Sequence, residues 1–380
     1  MYFITFILFL SVFSFYELGK NRSCNEYLYL FVLVVMTLLL CFRFGQGTDY
    51  FNYLGPYDAQ VAESDSYFHQ SLEHTEWGWY ALLLTTRKLG VPFESFVAVI
   101  SVVMMLCLYR VLKFSPYKMT SLVLFFPTYY LTYCFSALRQ GLAVCIFLGF
   151  GLKLLLEGKY WRYVLVILVA SLFHAAVLIL LFMPLVLKIS EKKLMFFAVV
   201  AFLGSFVLSR LPLIRALSFL GTRSGYLEDA EFSIGAMAIR TLLLYIIWRL
   251  HHLGDPKNTV LYREESSLYK LYLSGFIVFL LFSFFGIIGQ RLSMPMKTLE
   301  VILIPLLLYR NRVVLLNRKR TRLPEMAVYA LFIIMMMNFE CVKNINSYID
   351  QQEYHGVNVM NYPYISIFDE EHLLEYRYSF

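Results

Sequence analysis

Apolar runs of helical length recur along almost the whole chain, separated by short polar connections, and this pattern outweighs every other feature of the sequence. Crossing about 30 Å of hydrocarbon takes roughly 20 residues at about 1.5 Å each. Runs near that length predict helices at Met1 to Tyr16, Tyr27 to Phe42, Phe93 to Tyr109, Met119 to Phe135 and Leu138 to Leu156. Further ones follow at Leu194 to Leu208, Ile234 to Leu250, Leu268 to Ile288, Leu292 to Tyr309 and Met326 to Glu340. The expected fold class is all-α, a polytopic transmembrane helical bundle of about ten full spans forming a single integral membrane domain over 1–380. The stretch 160–187 breaks the pattern. It is long for one crossing and basic at both ends, with Lys159 and Arg162 before it and Lys188, Lys192 and Lys193 after it. A re-entrant helical hairpin turning near His174 keeps both basic clusters on one side, and such backbone is tolerated at membrane depth where protein or a cavity surrounds it.

Composition agrees: 59% hydrophobic, 18% aromatic and only 16% charged residues, with a mean hydropathy of +0.64, exceed what a soluble domain of this size could cover with polar surface. Met1 to Phe15 lacks the basic start and the small-residue cleavage site of a signal peptide, so the first segment is expected to be retained as a helix. The net charge of +7 raises the question of nucleic acid, but Lys and Arg stand in short clusters between apolar runs, as cytoplasmic loops require, which argues against such a partner. With the hairpin, the basic clusters fall on the cytoplasmic side, most clearly at Arg310 to Arg322, and both termini fall outside. That makes 43–92 an outer loop with an interfacial helix, Ser209 to Ser233 a second outer element, and 342–380 an outer tail. The six cysteines show no Cys-x-x-Cys or Cys/His spacing, so no metal site, disulfide framework or cofactor is expected.

Ionisable groups beside hydrocarbon are costly and mark functional sites. Arg43, Asp49, Glu76, Arg139, His174 and Arg291 lie inside or beside apolar stretches. In FRFGQGTDYFNY, Arg43 leaves the second span, Gly45 and Gly47 permit a tight turn, and Asp49 stands among Tyr50 and Tyr53, a carboxylate with aromatic platforms that suits carbohydrate. The competing reading is a polar turn with a snorkelling arginine. Glu76 precedes Trp77 and Trp79; it is either an N-terminal capping acid or a base whose proton affinity desolvation raises. Arg139 and Gln140 open the fifth span, where a cation opposes the helix dipole unless an anion binds there, and the planar guanidinium fork suits phosphate. The alternative is interfacial snorkelling. His174, alone in an apolar run beside Ala170, Ser171, Ala175 and Ala176, is a satisfied structural histidine or a group serving phosphate or a proton. Arg291 repeats the logic of Arg139, and Lys297 and Glu300 behind it are spaced to pair. Tyr362, Pro363 and Tyr364 form an aromatic extended segment suited to rim an outer cavity.

Taken in order, an Arg-x-Gly-x-x-x-Asp-Tyr run after the second span, a Glu-x-Gly, an Arg-Gln heading a span, a His-Ala-Ala, a late Arg and a Pro-Tyr tail resemble the EpsG family. That family is similar to the Wzy-type polysaccharide polymerases. The likeness extends over nearly the whole chain by order and spacing, and departs after the histidine, where Ala175 supplies no hydroxyl. It implies a multi-pass enzyme of the bacterial inner membrane with GT-C-like architecture and a periplasmic tail at 342–380. Such an enzyme polymerises undecaprenyl diphosphate-linked oligosaccharide for O-antigen, capsule or exopolysaccharide, with a chain-length regulator and a flippase as partners. On this reading Glu76, Asp49 and His174 are catalytic, and Arg43, Arg139 and Arg291 hold the diphosphate. Tyr50, Tyr53, Trp77, Gln140 and Tyr364 meet the glycan. Two other classes compete: a transporter or flippase of lipid-linked oligosaccharide, which would need essential charges reachable from both sides, and an O-antigen ligase-like glycosyltransferase with the same donor.

Overall fold

A computed structural model describes residues 2–58, 75–208, 234–253, 262–283, 287–317, 323–371 and 373. The outer element expected at Ser209 to Ser233, the middle of the 43–92 loop and the end of the basic Arg310 to Arg322 segment fall outside these residues. The described chain is helical: α1 (Tyr2–Lys20), α2 (Glu26–Cys41), α3 (Tyr50–Asp58), α4 (Trp77–Lys88), α5 (Phe93–Leu112), α6 (Lys118–Phe125), α7 (Leu138–Leu156), α8 (Tyr160–Ser171), α9 (Met183–Lys188), α10 (Glu191–Leu208), α11 (Ile234–Leu253), α12 (Tyr262–Phe282), α13 (Ile287–Lys297), α14 (Glu300–Asn317) and α15 (Leu323–Gln351). Strand-like pairing among the described residues is confined to an isolated antiparallel bridge, Arg43 to Ser366.

Six of these helices are long and apolar enough to cross a membrane: α1, α5, α7, α11, the Glu264–Phe282 part of α12, and the Pro324–Gln351 part of α15. A seventh is obtained if the pair Ile288–Lys297 and Glu300–Val313, bent by 41°, counts as one broken span. The remaining expected crossings have identifiable departures. The 16-residue α2 rises only about 24 Å. The run from Met119 to Phe135 changes from α6 to nine residues of π-helix, Phe126–Cys134, in which Phe135 N–H bonds to Tyr130 O at 2.8 Å. Glu191, Lys192 and Lys193 crowd the start of α10. At the stretch expected to be re-entrant, α8 ends at Ser171, the chain leaves helical geometry through His174, and a 3-10 helix begins at Ala175, so the break falls at the expected residue.

The domain expected over 1–380 is built from two compact units. The first holds Met1–Lys153, Trp161–Ala175 and Leu331–Phe380; the second holds Leu154–Tyr160 and Ala176–Ala330. Within each, the interior is aromatic and aliphatic, with Trp79, Leu122, Phe126 and Tyr130 fully buried in the first and Ile247, Leu271 and Leu303 in the second. Large apolar side chains also stand outward: Leu106 of α5 is 61% exposed and Phe196 of α10 is 64% exposed. Exposed apolar surface on this scale is tolerated against lipid and not against water. The chain is therefore a multi-pass membrane protein.

In the first unit the tail is strapped to the exit of α2. Phe44 N–H bonds to Ile365 O and Ile367 N–H to Phe42 O, each at 2.9 Å. The Gln46 side chain extends this pairing, donating Nε2–H to Pro363 O at 2.9 Å and accepting from Ile365 N–H at 3.2 Å. Gln352 donates to Gly45 O at 2.9 Å. Gly47, at a φ of +97°, lets the backbone approach the turn before α7; a Cβ there would sit 2.4 Å from Phe135 O. The neighbouring Thr48 then reaches Ser136, its N–H donating to Ser136 Oγ at 2.8 Å and the two hydroxyls meeting at 2.5 Å.

Candidate functional site

Three elements of the first unit bring Glu76, Arg139 and His174 together. Glu76 occupies the N-cap position of α4, yet its side chain makes no capping bond. Its carboxylate turns away, so the capping expectation is met by position and not by chemistry. Oε2 accepts from Arg139 Nη1 at 2.8 Å, while Oε1 accepts from Ala175 N–H at 3.1 Å and lies 3.3 Å from His174 Nδ1. Gly78 holds the start of α4 against the helix break: Gly78 N–H and Trp79 N–H both donate to Leu172 O, at 2.9 and 3.2 Å. A side chain at Gly78 would collide, since its Cβ would fall 2.6 Å from that of Leu172.

Arg139 lies in the first turn of α7, where the exposed N–H groups favour negative charge over positive. The anion that offsets this is internal: Glu76 stands where a phosphate was anticipated. Arg139 Nε also donates to Tyr53 OH at 3.4 Å, and Asp49 is close enough to act on Arg139 electrostatically. Tyr53 is itself backed by Trp79, with ring centroids 5.4 Å apart. His174 is largely enclosed, its side chain 12% exposed, and among the described residues neither ring nitrogen has an aligned hydrogen-bond partner. A buried imidazole in that condition is either strained or waiting for a proton or a ligand.

Burial alone would push the Glu76 carboxyl up, as its sequence context suggests. The His174 contact, the Ala175 N–H and the Arg139 charge together outweigh burial and hold it at about 2. The expectation of a carboxyl with raised proton affinity is thus corrected: Glu76 is ionised across the physiological range and is a weak base. Because this value lies below the usual carboxylate range, the ionised form stabilises the fold above about pH 4.5, by about 3 kcal/mol, and that contribution is lost as pH falls toward about 2. Thermal melts of wild type and Glu76→Gln in detergent should therefore show a gap that is constant at neutral pH and closes below pH 4.5; a pH-independent gap would contradict the charge assignment.

The family model described as EpsG family matches residues 26–365, which contain all of this geometry. The chain belongs to the EpsG family. This is a family of Wzy-type polysaccharide polymerase-like proteins, so the resemblance read in the sequence holds. No curated protein and no solved structure matches the chain.

The other residues anticipated for an EpsG-family site differ in their surroundings. Arg43 is 1% exposed; its Nη1 donates to Leu40 O at 3.0 Å, capping the C-terminal carbonyls of α2, and its guanidinium lies 4.8 Å from the Phe135 ring centroid. It braces the turn that leads to Ser136 and Arg139, and among the described residues its Nε and Nη2 have no hydrogen-bond partner. Arg291 lies on α13 in the second unit. Tyr50 and Gln140 are buried, at 1% and 3% exposure, which leaves no face for a sugar in this conformation. Tyr364 donates its hydroxyl to Leu39 O at 3.0 Å, as part of the strap. Trp77, 81% exposed beside Glu76, keeps the open ring face a glycan platform requires. Lys297 and Glu300 pair at 2.9 Å, as their spacing anticipates.

Sequence reasoning missed two features of this EpsG-family chain. The Thr48–Ser136 hydroxyl pair joins residues 88 apart and leaves no local signal. The second is a buried polar cluster in the second unit, Glu191, His251, Glu265 and Arg310. Arg310, expected in a solvated basic loop, is 2% exposed, pairs with Glu265 and donates to the carbonyls of Leu250 and His251, both at 2.9 Å. No local signal marked it: Glu265 stands in the polar first turn of α12 and His251 in the last turn of α11, where ionisable residues are ordinary.

Proposed function

We propose that this protein is a polysaccharide polymerase that moves a growing glycan from its polyprenyl diphosphate carrier to a lipid-linked repeat unit at the periplasmic face of the bacterial inner membrane, in a GT-C-like scaffold of about ten crossings. The observation that carries this reading is the arginine at a helix start, held by a carboxylate whose other oxygen contacts a histidine with an unsatisfied ring. In an EpsG-family chain that arrangement supplies what glycosyl transfer needs: a cation for the leaving group and an acceptor for a proton.

The acceptor hydroxyl attacks the anomeric carbon of the donor's reducing-end sugar, forming the new glycosidic bond. The bond from that carbon to the diphosphate oxygen breaks, and polyprenyl diphosphate leaves with the bonding electrons. Arg139 receives the diphosphate, exchanging its single Nη1 bond to Glu76 for phosphate oxygens that suit its planar fork. Glu76, released from Arg139 and too weak a base for the hydroxyl, holds His174 through Nδ1. His174 Nε2 takes the hydroxyl proton, as an imidazole oriented by a carboxylate does elsewhere. Asp49 adds negative charge near Arg139 and limits how tightly the product diphosphate is retained. Trp77 is the sugar-facing aromatic in this scheme, and Tyr53, buried between Arg139 and Trp79, positions the guanidinium.

Purified protein in nanodiscs, given polyprenyl diphosphate-linked repeat units, should produce a ladder on a glycan gel with one polyprenyl diphosphate released per bond formed. Substrate that crosses the bilayer unaltered would instead identify a transporter, and transfer to a different lipid acceptor without a ladder would identify a ligase.

A further inference from the structure

The second unit carries a histidine and glutamate cluster on which the proposed polymerase chemistry does not draw. Its members come from α10 (Glu191), α11 (His251 and His252) and α12 (Glu265), with Arg310 of α14 behind them. His251 Nδ1 lies 2.8 Å from Glu265 Oε1, and a carboxylate has no hydrogen to give, so Nδ1 carries the proton. Glu265 is fully buried and fixed by Arg310. His251 is held in plane by stacking on Tyr269, 4.4 Å between centroids and 14° apart. Its remaining nitrogen, Nε2, faces Glu191 Oε2 at 3.2 Å, while Ser266 engages the other Glu191 oxygen.

His252 repeats the pattern. Its Nδ1 lies 2.9 Å from Trp248 O, an acceptor only, so this nitrogen also carries the proton and Nε2 keeps a lone pair. Ligand atoms of Glu191, His251 and His252 all lie within 4.8 Å of one another. Two imidazoles whose Nδ1–H groups are each committed to an oxygen acceptor, beside a carboxylate, reproduce the outer-sphere pattern that fixes histidines as metal ligands. Two nitrogens and one carboxylate oxygen are the donor set of zinc-class ions with an open position.

We propose that Glu191, His251 and His252 bind a divalent transition-metal ion of the zinc class, with Glu265 orienting His251 and Arg310 fixing Glu265. The site tethers α10 to α11 and is independent of the polymerase assignment. Metal takes the position between His251 Nε2 and Glu191 Oε2. The exposed ring of His252 gives the ion access.

The test uses the full-length protein in detergent, without a polyhistidine tag, dialysed against micromolar Co2+ as a spectroscopic probe. Wild type should bind one Co2+ per chain with visible absorption of low-symmetry coordination, displaced by Zn2+. His252→Ala, verified as folded by its unchanged melting temperature without metal, should bind at least about tenfold more weakly. Glu191→Gln should do the same. Wild type that takes up no Co2+ under these conditions, or a folded His252→Ala with unchanged affinity, overturns the proposal.

Discussion

Arg139→Ala is expected to abolish polymer while the protein still reaches the membrane in normal amount. The guanidinium is held at a helix start by a carboxylate that also contacts a histidine. In the proposed reaction it meets charge that grows as the diphosphate departs. Loss of one such group costs about 10²- to 10³-fold in rate, enough to leave no ladder on a gel. Alanine also leaves Glu76 partly buried without its cation, so some loss of thermal stability accompanies the loss of activity. Arg139→Lys separates the two effects. It returns the charge and most of the stability, since one nitrogen suffices for Glu76, but not the planar fork that would engage two phosphate oxygens, so activity stays at least about tenfold below wild type. Glycan gels from cells with each variant, alongside membrane immunoblots and melting curves, read out both. Normal chain lengths from Arg139→Ala would remove Arg139 from the reaction.

The second large effect is expected at His174. Its ring is enclosed, contacts Glu76 through one nitrogen and has no aligned hydrogen bond at either among the described residues, so it can accept a proton without first surrendering a bond. General-base catalysis of this kind contributes about 10²- to 10⁴-fold. His174→Ala should lose that much in single-turnover release of polyprenyl diphosphate, while binding of the lipid-linked substrate, which depends on Arg139, changes little. His174→Gln fills the space and still contacts Glu76, yet accepts no proton at neutral pH, so it should be as slow as alanine. A glutamine variant within a few fold of wild type would reduce His174 to a packing role.

The sequence made the helices legible because a hydrocarbon surrounding demands long apolar runs, and α7 and the helix break at His174 fall where those runs and the flanking charges placed them. Span number was less legible. Hydropathy does not register the change to π-helix at Phe126 or the bend between α13 and α14. Glu76, Arg139 and His174 were each conspicuous as ionisable residues in apolar company, and the structure unites them. Arg43 was equally conspicuous, and the structure buries it past the end of α2 with one bond to a carbonyl of that helix, since a cation there can satisfy the helix's own carbonyls as well as a ligand's oxygens. Sign was the harder matter at Glu76: desolvation and a cation oppose one another there, and which prevails depends on contacts across 63 and 99 residues of sequence that no local pattern contains.

If Glu76 occupies the place of a phosphate, removing its charge should help the diphosphate bind and yet stop the reaction. The decisive measurement is equilibrium binding of a short-chain prenyl diphosphate to purified wild type, Glu76→Gln and Arg139→Ala. Glu76→Gln should bind about tenfold more tightly, a difference of about 1.4 kcal/mol, because Arg139 loses the carboxylate bonded to it, and Arg139→Ala should bind far more weakly than either. Equal or weaker binding by Glu76→Gln, with Arg139→Ala indistinguishable from wild type, would show that the diphosphate is held elsewhere.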